Sequence, residues 1–283
     1  MTTASHREIL PLLAVRGLRQ EFRKTGLFSA FASASTVRAF DDVSFILRRQ
    51  TTLAVIGESG AGKSSLARCI ALLEKPTRGE ILFDGQNVLV LNGRELLPFR
   101  RAVQLVFQDP TSSLNPRFTA AEIVSEPLVV QGEGTATHRH EKALELMDQV
   151  GLPTKWSNKR PLEFSGGQRQ RLAIARALSL NPRLIIFDEA LSSLDIDNQE
   201  SILRLLAALQ RELSLTYIHI THDLNLVSHV ASEIAVMHQG RIVEHEAAPA
   251  LLEHQENAYA RELFFERSTV STILDARFAE AQR

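Results

Sequence analysis

The chain has 283 residues, 44% hydrophobic and 23% charged, enough to bury one large core or two modest ones. Its 32 Lys and Arg against 33 Asp and Glu leave a net charge of −1, so no overall field directs it to nucleic acid or anionic lipid. The single cysteine, Cys69, excludes an intrachain disulfide and a cysteine-only metal or iron–sulfur site, and its apolar setting from Leu66 to Leu73 predicts a small buried hydrophobe in a reducing compartment.

No apolar run reaches the ~20 residues a membrane-crossing helix needs. Residues 1–10 read as a flexible start. Ile9 to Val15, ended by Arg16, lacks a cleavage pattern and predicts an early strand rather than a signal peptide. Residues 24–36, small and polar, predict a hairpin loop with an insertion, or a short amphipathic element using Phe28 and Phe31. Val43 to Leu47, Leu53 to Gly57 and Ile81 to Gly85 predict strands, the last ending in a turn. From about residue 120 to 180 the pattern is helical. Ala143, Leu144, Leu146, Met147 and Val150 recur at helical spacing, and Gly151 fits a C-terminal stop. Arg183 to Ala190 is an apolar run closed by acids, the pattern of a buried parallel strand whose carboxyl end is the active edge. A helix over 199–213, a strand from Thr216 to Asp223 and a hairpin turning at His238, Gln239 and Gly240 follow. Strands alternating with helices predict an α/β fold, with residues 109–180 as an inserted helical subdomain and 266–283 as a tail.

The strongest motif is Gly57-Glu58-Ser59-Gly60-Ala61-Gly62-Lys63-Ser64, followed by Ser65, between a predicted strand and a predicted helix. Glycines let phosphates approach the backbone, and the N–H groups at the helix start form an anion nest. Lys63 can reach the terminal phosphates and the Ser64 hydroxyl suits a Mg²⁺ ligand. Alone, this motif means only that a nucleoside triphosphate is bound. Asp188 and Glu189 end the next apolar strand. Beside a phosphate loop, Asp188 can hold Mg²⁺ and Glu189 can act as general base on water. His222 ends the strand after that, where a neutral imidazole can bond a phosphate and orient the water. His238, His245 and His254 match no metal-ligand spacing.

Glu163 to Leu178, EFSGGQRQRLAIARAL, opens with Ser165, Gly166, Gly167 and Gln168 at a helix start, a second phosphate-binding device in one chain. This stretch resembles the signature sequence of ABC ATPases, with Phe164 where leucine is usual. The resemblance implies a P-loop NTPase (RecA-like) core over residues 11–265, with an N-terminal antiparallel β-subdomain and an inserted helical subdomain. It implies that Ser165, Gly166, Gly167 and Gln168 cap the ATP held by a partner subunit. VFQDP, from Val106 to Pro110, resembles the Q-loop and makes Gln108 a contact to Mg²⁺ and water that also senses a membrane subunit. SSLD places Asp195 at the dimer interface, His222 matches the switch histidine, and Phe22 is similar to the aromatic that stacks on adenine, with Phe28 its rival.

FQDPTSSLNPRFT, from Phe107 to Thr119, resembles the oligopeptide, dipeptide and nickel importer subfamily, second-ATPase type, and within it the peptide-uptake subunits linked to antimicrobial-peptide resistance. The implied protein hydrolyses ATP with Mg²⁺ at the cytoplasmic face of the inner membrane. Its implied partners are a second ABC ATPase, two transmembrane permease subunits and an extracytoplasmic substrate-binding protein, with no nucleic acid. Peptide import is the favoured cargo; a nickel or metal-chelate importer and a non-transport ABC ATPase of DNA repair or translation are the alternatives. Ala190 and Leu191 stand where Pro-Thr is commoner, Asn257 to Phe264 only partly matches the subfamily's His-Pro-Tyr-Thr region, and one cysteine cannot supply the cluster site of some relatives.

Overall fold

The computed structural model describes residues 10–23, 36–192 and 194–265. The chain opens with β1 (Leu13–Arg23), β2 (Thr36–Leu47), β3 (Thr52–Ile56), α1 (Lys63–Ile70), β4 (Arg78–Phe83) and β5 (Gln86–Asn87). Then come α2 (Leu97–Ala102), β6 (Val103–Val106), α3 (Pro110–Ser113), α4 (Ala120–Val130), α5 (Ala136–Gln149) and α6 (Gly166–Leu178). It continues with β7 (Leu184–Asp188), α7 (Ile196–Leu213), β8 (Thr216–Ile220), α8 (Leu224–Val230), β9 (Glu233–His238), β10 (Arg241–Ala247) and α9 (Ala248–Glu253). A last helical stretch covers residues 258–265. The expectations placed on residues 1–9, on the loop at 24–35 with Phe28 and Phe31, and on the tail 266–283 lie outside the described residues.

Every residue of β3, β7 and β8 is buried, which is why these segments read as unbroken apolar runs: helices or the second sheet cover both faces. They sit inside a six-stranded sheet of order β6-β7-β8-β3-β9-β10, parallel except for the β9–β10 hairpin. Because β6, β7, β8 and β3 are parallel and adjacent, the residues that follow them emerge in one row along a single sheet edge. That edge carries the site.

A second, antiparallel sheet has the order β2-β1-β4-β5. Leu13, Val15 and Leu18 of β1 and Val43 and Phe45 of β2 share one core with Val55, Ile186 and Ile218 of the parallel sheet and with Leu66 and Ile70 of α1, so α1 is packed between the two sheets. Burying each such side chain contributes roughly 1.5–3 kcal/mol. A second core joins Phe187 and Tyr217 to α4, α5, α6 and α7. A third joins Ala54 and Ile56 of β3 to Leu251 of α9 and to Ala260 and Leu263.

Helix boundaries follow their caps. Thr119 and Glu122 form a reciprocal capping box at α4, and Thr135 caps α5 through the N–H of His138. Gly151, with φ of 75°, ends α5 as its position in the sequence predicts. Gln239 and Gly240 both have positive φ and form the two-residue turn of the β9–β10 hairpin. Cys69 is fully buried, and burial pushes its thiol up to about 12.

Several expectations are corrected. The first strand starts at Leu13 and runs to Arg23, because its pairing with β2 (Phe22 to Val37 across the ladder) continues past the polar residues that break the apolar pattern. β2 begins at Thr36 for the same reason. β6 was not expected: four residues are too few to show a period. The helix expected over 199–213 begins at Ile196, one turn earlier, because Asp195 caps it.

Candidate functional site

The glycine-rich loop after β3 leads into α1. Glu58, Ser59 and Gly60 are exposed, while Ala61 and Lys63 are buried. Gly62, with φ of 101°, is the N-cap of α1 and offers no side-chain cap. A Cβ there would overlap the carbonyl oxygen of Ala39 in β2, so both the left-handed backbone and the close approach require glycine. The first N–H groups of α1 therefore have no cap from a Gly62 side chain. Lys63 Nζ donates to the carbonyls of Gly57 (3.0 Å) and Glu58 (2.7 Å), which fold its ammonium back over the loop.

The loop is backed by the hairpin: Gly240 N–H donates to Ala61 O at 3.1 Å, and Asp41 N–H of β2 donates to Gly240 O at 2.8 Å. Phe22 lies near the end of β1, opposite Val37, and is 40% exposed. Ala39, two residues further along that partner strand, is the residue that presses on Gly62.

Ser64 Oγ donates to Asp188 Oδ1 at 2.7 Å, joining the α1 start to the end of β7. Asp188 is 5% exposed. Burial pushes its carboxyl above the ordinary range, while the Ser64 hydrogen bond and the charges of Arg68 and Lys63 pull it back. A buried carboxylate beside a hydroxyl is a hard-oxygen pair, and it fits Mg²⁺, which takes one or two protein oxygens and completes its shell with phosphates and water.

Glu189 leaves the strand with φ of 50°, a left-handed backbone that costs an L-residue roughly 1–2 kcal/mol. Three bonds hold it there: Glu189 N–H donates to Ile220 O at 2.9 Å, and Ser192 donates both its N–H (3.2 Å) and its Oγ–H (2.8 Å) to Glu189 O. Its Oε2 accepts from Gln108 Nε2 at 3.2 Å and lies 3.8 Å from His222 Nδ1. Gln108 follows β6, Glu189 follows β7 and His222 follows β8. Three neighbouring strand ends thus converge on one carboxylate oxygen, next to the Ser64–Asp188 pair.

The second glycine-rich start is built differently. Ser165 Oγ accepts from Gln168 N–H at 3.3 Å, and Gln168 Oε1 accepts from Ser165 N–H at 2.9 Å, closing a capping box on α6. Gly166 is exposed and Gly167 is buried against Asn198 of α7, where a Cβ would press on the amide. Asn198 donates its backbone N–H (2.9 Å) and its amide (2.7 Å) to Asp195, which holds that exposed carboxylate below its usual range. The structure therefore brings Ser165 to Gln168 and Asp195 together through Asn198. The sequence reading missed Asn198 because it began α7 one turn late; as the third residue after an Asp cap, its place was readable from capping chemistry. Ile196 (79% exposed) and Leu162 (73% exposed) are also uncovered.

The C-terminal histidines do not converge. His238 Nδ1 pairs with Glu58 at 3.2 Å and His245 Nε2 with Glu233 at 3.1 Å, and among the described residues no group of three or more His, Cys, Asp or Glu could hold a metal ion. Among the described residues, no helix is long and apolar enough to cross a membrane.

A family model for the ABC transporter matches residues 40–192. The dipeptide transport ATP-binding protein DppF of Haemophilus influenzae is 42% identical, over 91% of this chain and 78% of its own length. The oligopeptide transport ATP-binding protein AppF of Bacillus subtilis is 42% identical, over 93% and 79%. The solved dimer of the ATP-binding cassette MJ0796, in a post-hydrolysis state with ADP and Pi, superposes with a TM-score of 0.71 at 30% identity, covering 83% of this chain and 98% of that one. A row of polar groups on the carboxyl edge of a parallel sheet, an uncapped loop–helix start and these matches lead to one conclusion: the chain belongs to the ABC transporter family, among its ATP-binding ATPase subunits.

Proposed function

We propose that the chain hydrolyses ATP as one half of a pair of ATPase subunits and so drives peptide import across a membrane. The observation that carries the hydrolytic part is the convergence of Gln108 and His222 on Glu189 Oε2, beside the Ser64–Asp188 pair. Gly57 to Ser65 enclose the phosphates, and Lys63 moves from its own loop carbonyls to the terminal phosphates. Ser64 and Asp188, with Gln108 nearby, hold Mg²⁺. When bound, Mg²⁺ neutralises charge on the phosphate oxygens. Glu189 accepts the proton of the attacking water, while Gln108 holds its carboxylate and His222, on the other side, bonds the terminal phosphate and helps orient that water. Phe22 stacks on the adenine.

Ser165, Gly166, Gly167 and Gln168 serve the nucleotide of the partner subunit, and Asp195 lies at the pair's interface. The exposure of Ser165, Gly166 and Asp195 and the uncovered Ile196 support that reading. A groove of about 270 Å³ lies next to the Gln108 loop, between β6 on one side and α4 and α6 on the other, lined by Phe107, Glu126, Val130 and Arg176. Its place beside Gln108 suits a permease element sensed through that loop. Relatives named for dipeptide and oligopeptide transport favour peptide as cargo. The chain works at the cytoplasmic face of the membrane, under two permease subunits, beside a second ABC ATPase and supplied by an extracytoplasmic binding protein.

Mild solubilisation of native membranes followed by affinity capture of this chain tests the assembly. Two multi-spanning proteins and a second ATPase are expected. Recovery with ribosomes or DNA-repair proteins instead would remove the transport reading, and a co-captured binding protein that takes up a metal chelate would replace peptide as cargo.

A further inference from the structure

Beyond the segment matched by the family model, one side chain reaches back to the phosphate loop. Glu58, the second residue of that loop, donates its backbone N–H to Tyr259 Oη at 3.1 Å. The Glu58 carboxylate lies 3.2 Å from His238 Nδ1, and the rings of His238 and Tyr259 stack with centroids 3.7 Å apart and planes 29° apart. The carbonyl of the same Glu58 accepts from Lys63 Nζ at 2.7 Å. One loop residue is therefore held from the C-terminal side through its N–H, with its carboxylate close to the His238 ring, while its carbonyl accepts from the loop lysine.

Tyr259 is itself anchored. The Glu244 carboxylate of β10 accepts the N–H groups of Glu256 (2.8 Å) and Asn257 (3.2 Å), and Asn257 Oδ1 accepts the N–H of Tyr259 at 2.9 Å. Ala260, one residue on, and Leu263 are buried in the core that includes Ala54 and Ile56 of β3, the strand that feeds the loop. Hydrogen bonds thus link Glu244 to Asn257, Asn257 to Tyr259, Tyr259 to Glu58 and Glu58 to Lys63, from the hairpin to the loop lysine.

We infer that Tyr259, stacked on His238, is a positioning residue for the phosphate loop, holding Glu58 and through it Lys63 in place before the nucleotide arrives. The inference rests on the reading of Gly57 to Ser65 as the nucleotide site. Pre-ordering a loop lowers the conformational cost of binding and leaves the chemical step alone, so its loss raises KM for ATP and spares kcat. The ring's packing and the hydroxyl's hydrogen bond are separable: Tyr259→Phe keeps the stack and removes only the bond.

The test measures the Kd for ATP with a fluorescent ATP analogue on the full-length chain, and KM and kcat in the assembled transporter. It compares the wild type with Tyr259→Phe, Tyr259→Ala and Lys63→Ala. Loss of one hydrogen bond predicts ATP binding about three- to tenfold weaker in Tyr259→Phe, a matching rise in KM, and kcat within about twofold of wild type. Tyr259→Ala, which also loses the stack, binds more weakly still. Unchanged Kd and KM in a Tyr259→Phe protein with wild-type thermal midpoint would overturn the inference, as would a fall in kcat at unchanged KM. A Lys63→Ala chain that binds ATP as wild type does would instead overturn the underlying assignment of the loop.

Discussion

The starts of α1 and α6 are both rich in glycine and serine, yet they satisfy their backbone in opposite ways. At α1 the cap position is Gly62, which contributes no side chain, and the lysine that follows is folded onto the loop's own carbonyls. At α6, Ser165 and Gln168 close on each other and use the donors that a ligand would want. The first start is backed by β2, the hairpin and β7; the second faces outward beside Asp195 and Ile196. An uncapped, walled helix start is a standing anion site, whereas a self-capped, exposed one takes a ligand only when another surface makes displacing the cap worthwhile. That difference is what a nucleotide shared between two subunits would select.

The comparison can be broken or sharpened by substitution. The largest expected effect is at the walled site. Glu189→Gln lowers kcat about 10²- to 10⁴-fold, as loss of a general base does, with ATP affinity nearly unchanged in equilibrium titration. Turnover close to wild type would remove Glu189 as the base. Gly62→Ala strikes the uncapped start. Its Cβ must displace the Ala39 carbonyl at a left-handed φ, so roughly 2–4 kcal/mol of stability and ATP binding should go together in denaturant and titration measurements.

A third test uses the floor beneath the walled site. His219 of β8 stacks on Phe187 at 4.6 Å, and burial depresses its pKa to about 3. The unfolded chain takes up a proton near pH 6.5 and the folded one resists, so stability is complete above about 6.5 and declines as the pH falls toward 3. His219 alone should cost about 2 kcal/mol between pH 7 and 5. His219→Phe should flatten that part of the wild-type stability profile, and a parallel profile would assign the acid sensitivity to other groups. The smallest effect is at the self-capped start. Ser165→Ala costs about 1 kcal/mol of stability and lowers ATPase turnover only in the assembled pair. If it weakens ATP binding by the isolated chain, the two starts are not divided between a chain and its partner.

How much could be read beforehand differs element by element. Long or fully buried segments were legible. β3 and β7 announced themselves as apolar runs, α5 by its period and Gly151, and the hairpin by its turn. Where pairing rather than burial sets the boundary, the pattern failed. β1 extends to Arg23 and β2 begins at Thr36 because each is the other's ladder, through alternately exposed residues that carry no signal alone. β6 is four residues long, below the length at which any period shows. Within the site, the types and order of Lys63, Ser64, Asp188, Glu189 and His222 were plain from strand-end positions. The contacts of Tyr259 and Asn198 were not, since residues 201 and 31 positions away from Glu58 and Gly167 meet them only in three dimensions.

By itself, then, the sequence determined which residues have the chemistry: a glycine loop with its lysine and serine, acids after one apolar strand, a histidine after another, and a second serine–glycine helix start. These are local properties, set by side-chain type, cap preference and hydrophobic period over a few residues. Only the tertiary structure decided that β6, β7, β8 and β3 stand side by side, that Gln108 and His222 meet on one oxygen of Glu189, and that the C-terminal helix grips the loop through Tyr259. Strand order and long-range contact depend on how whole surfaces pack, and no single segment encodes that.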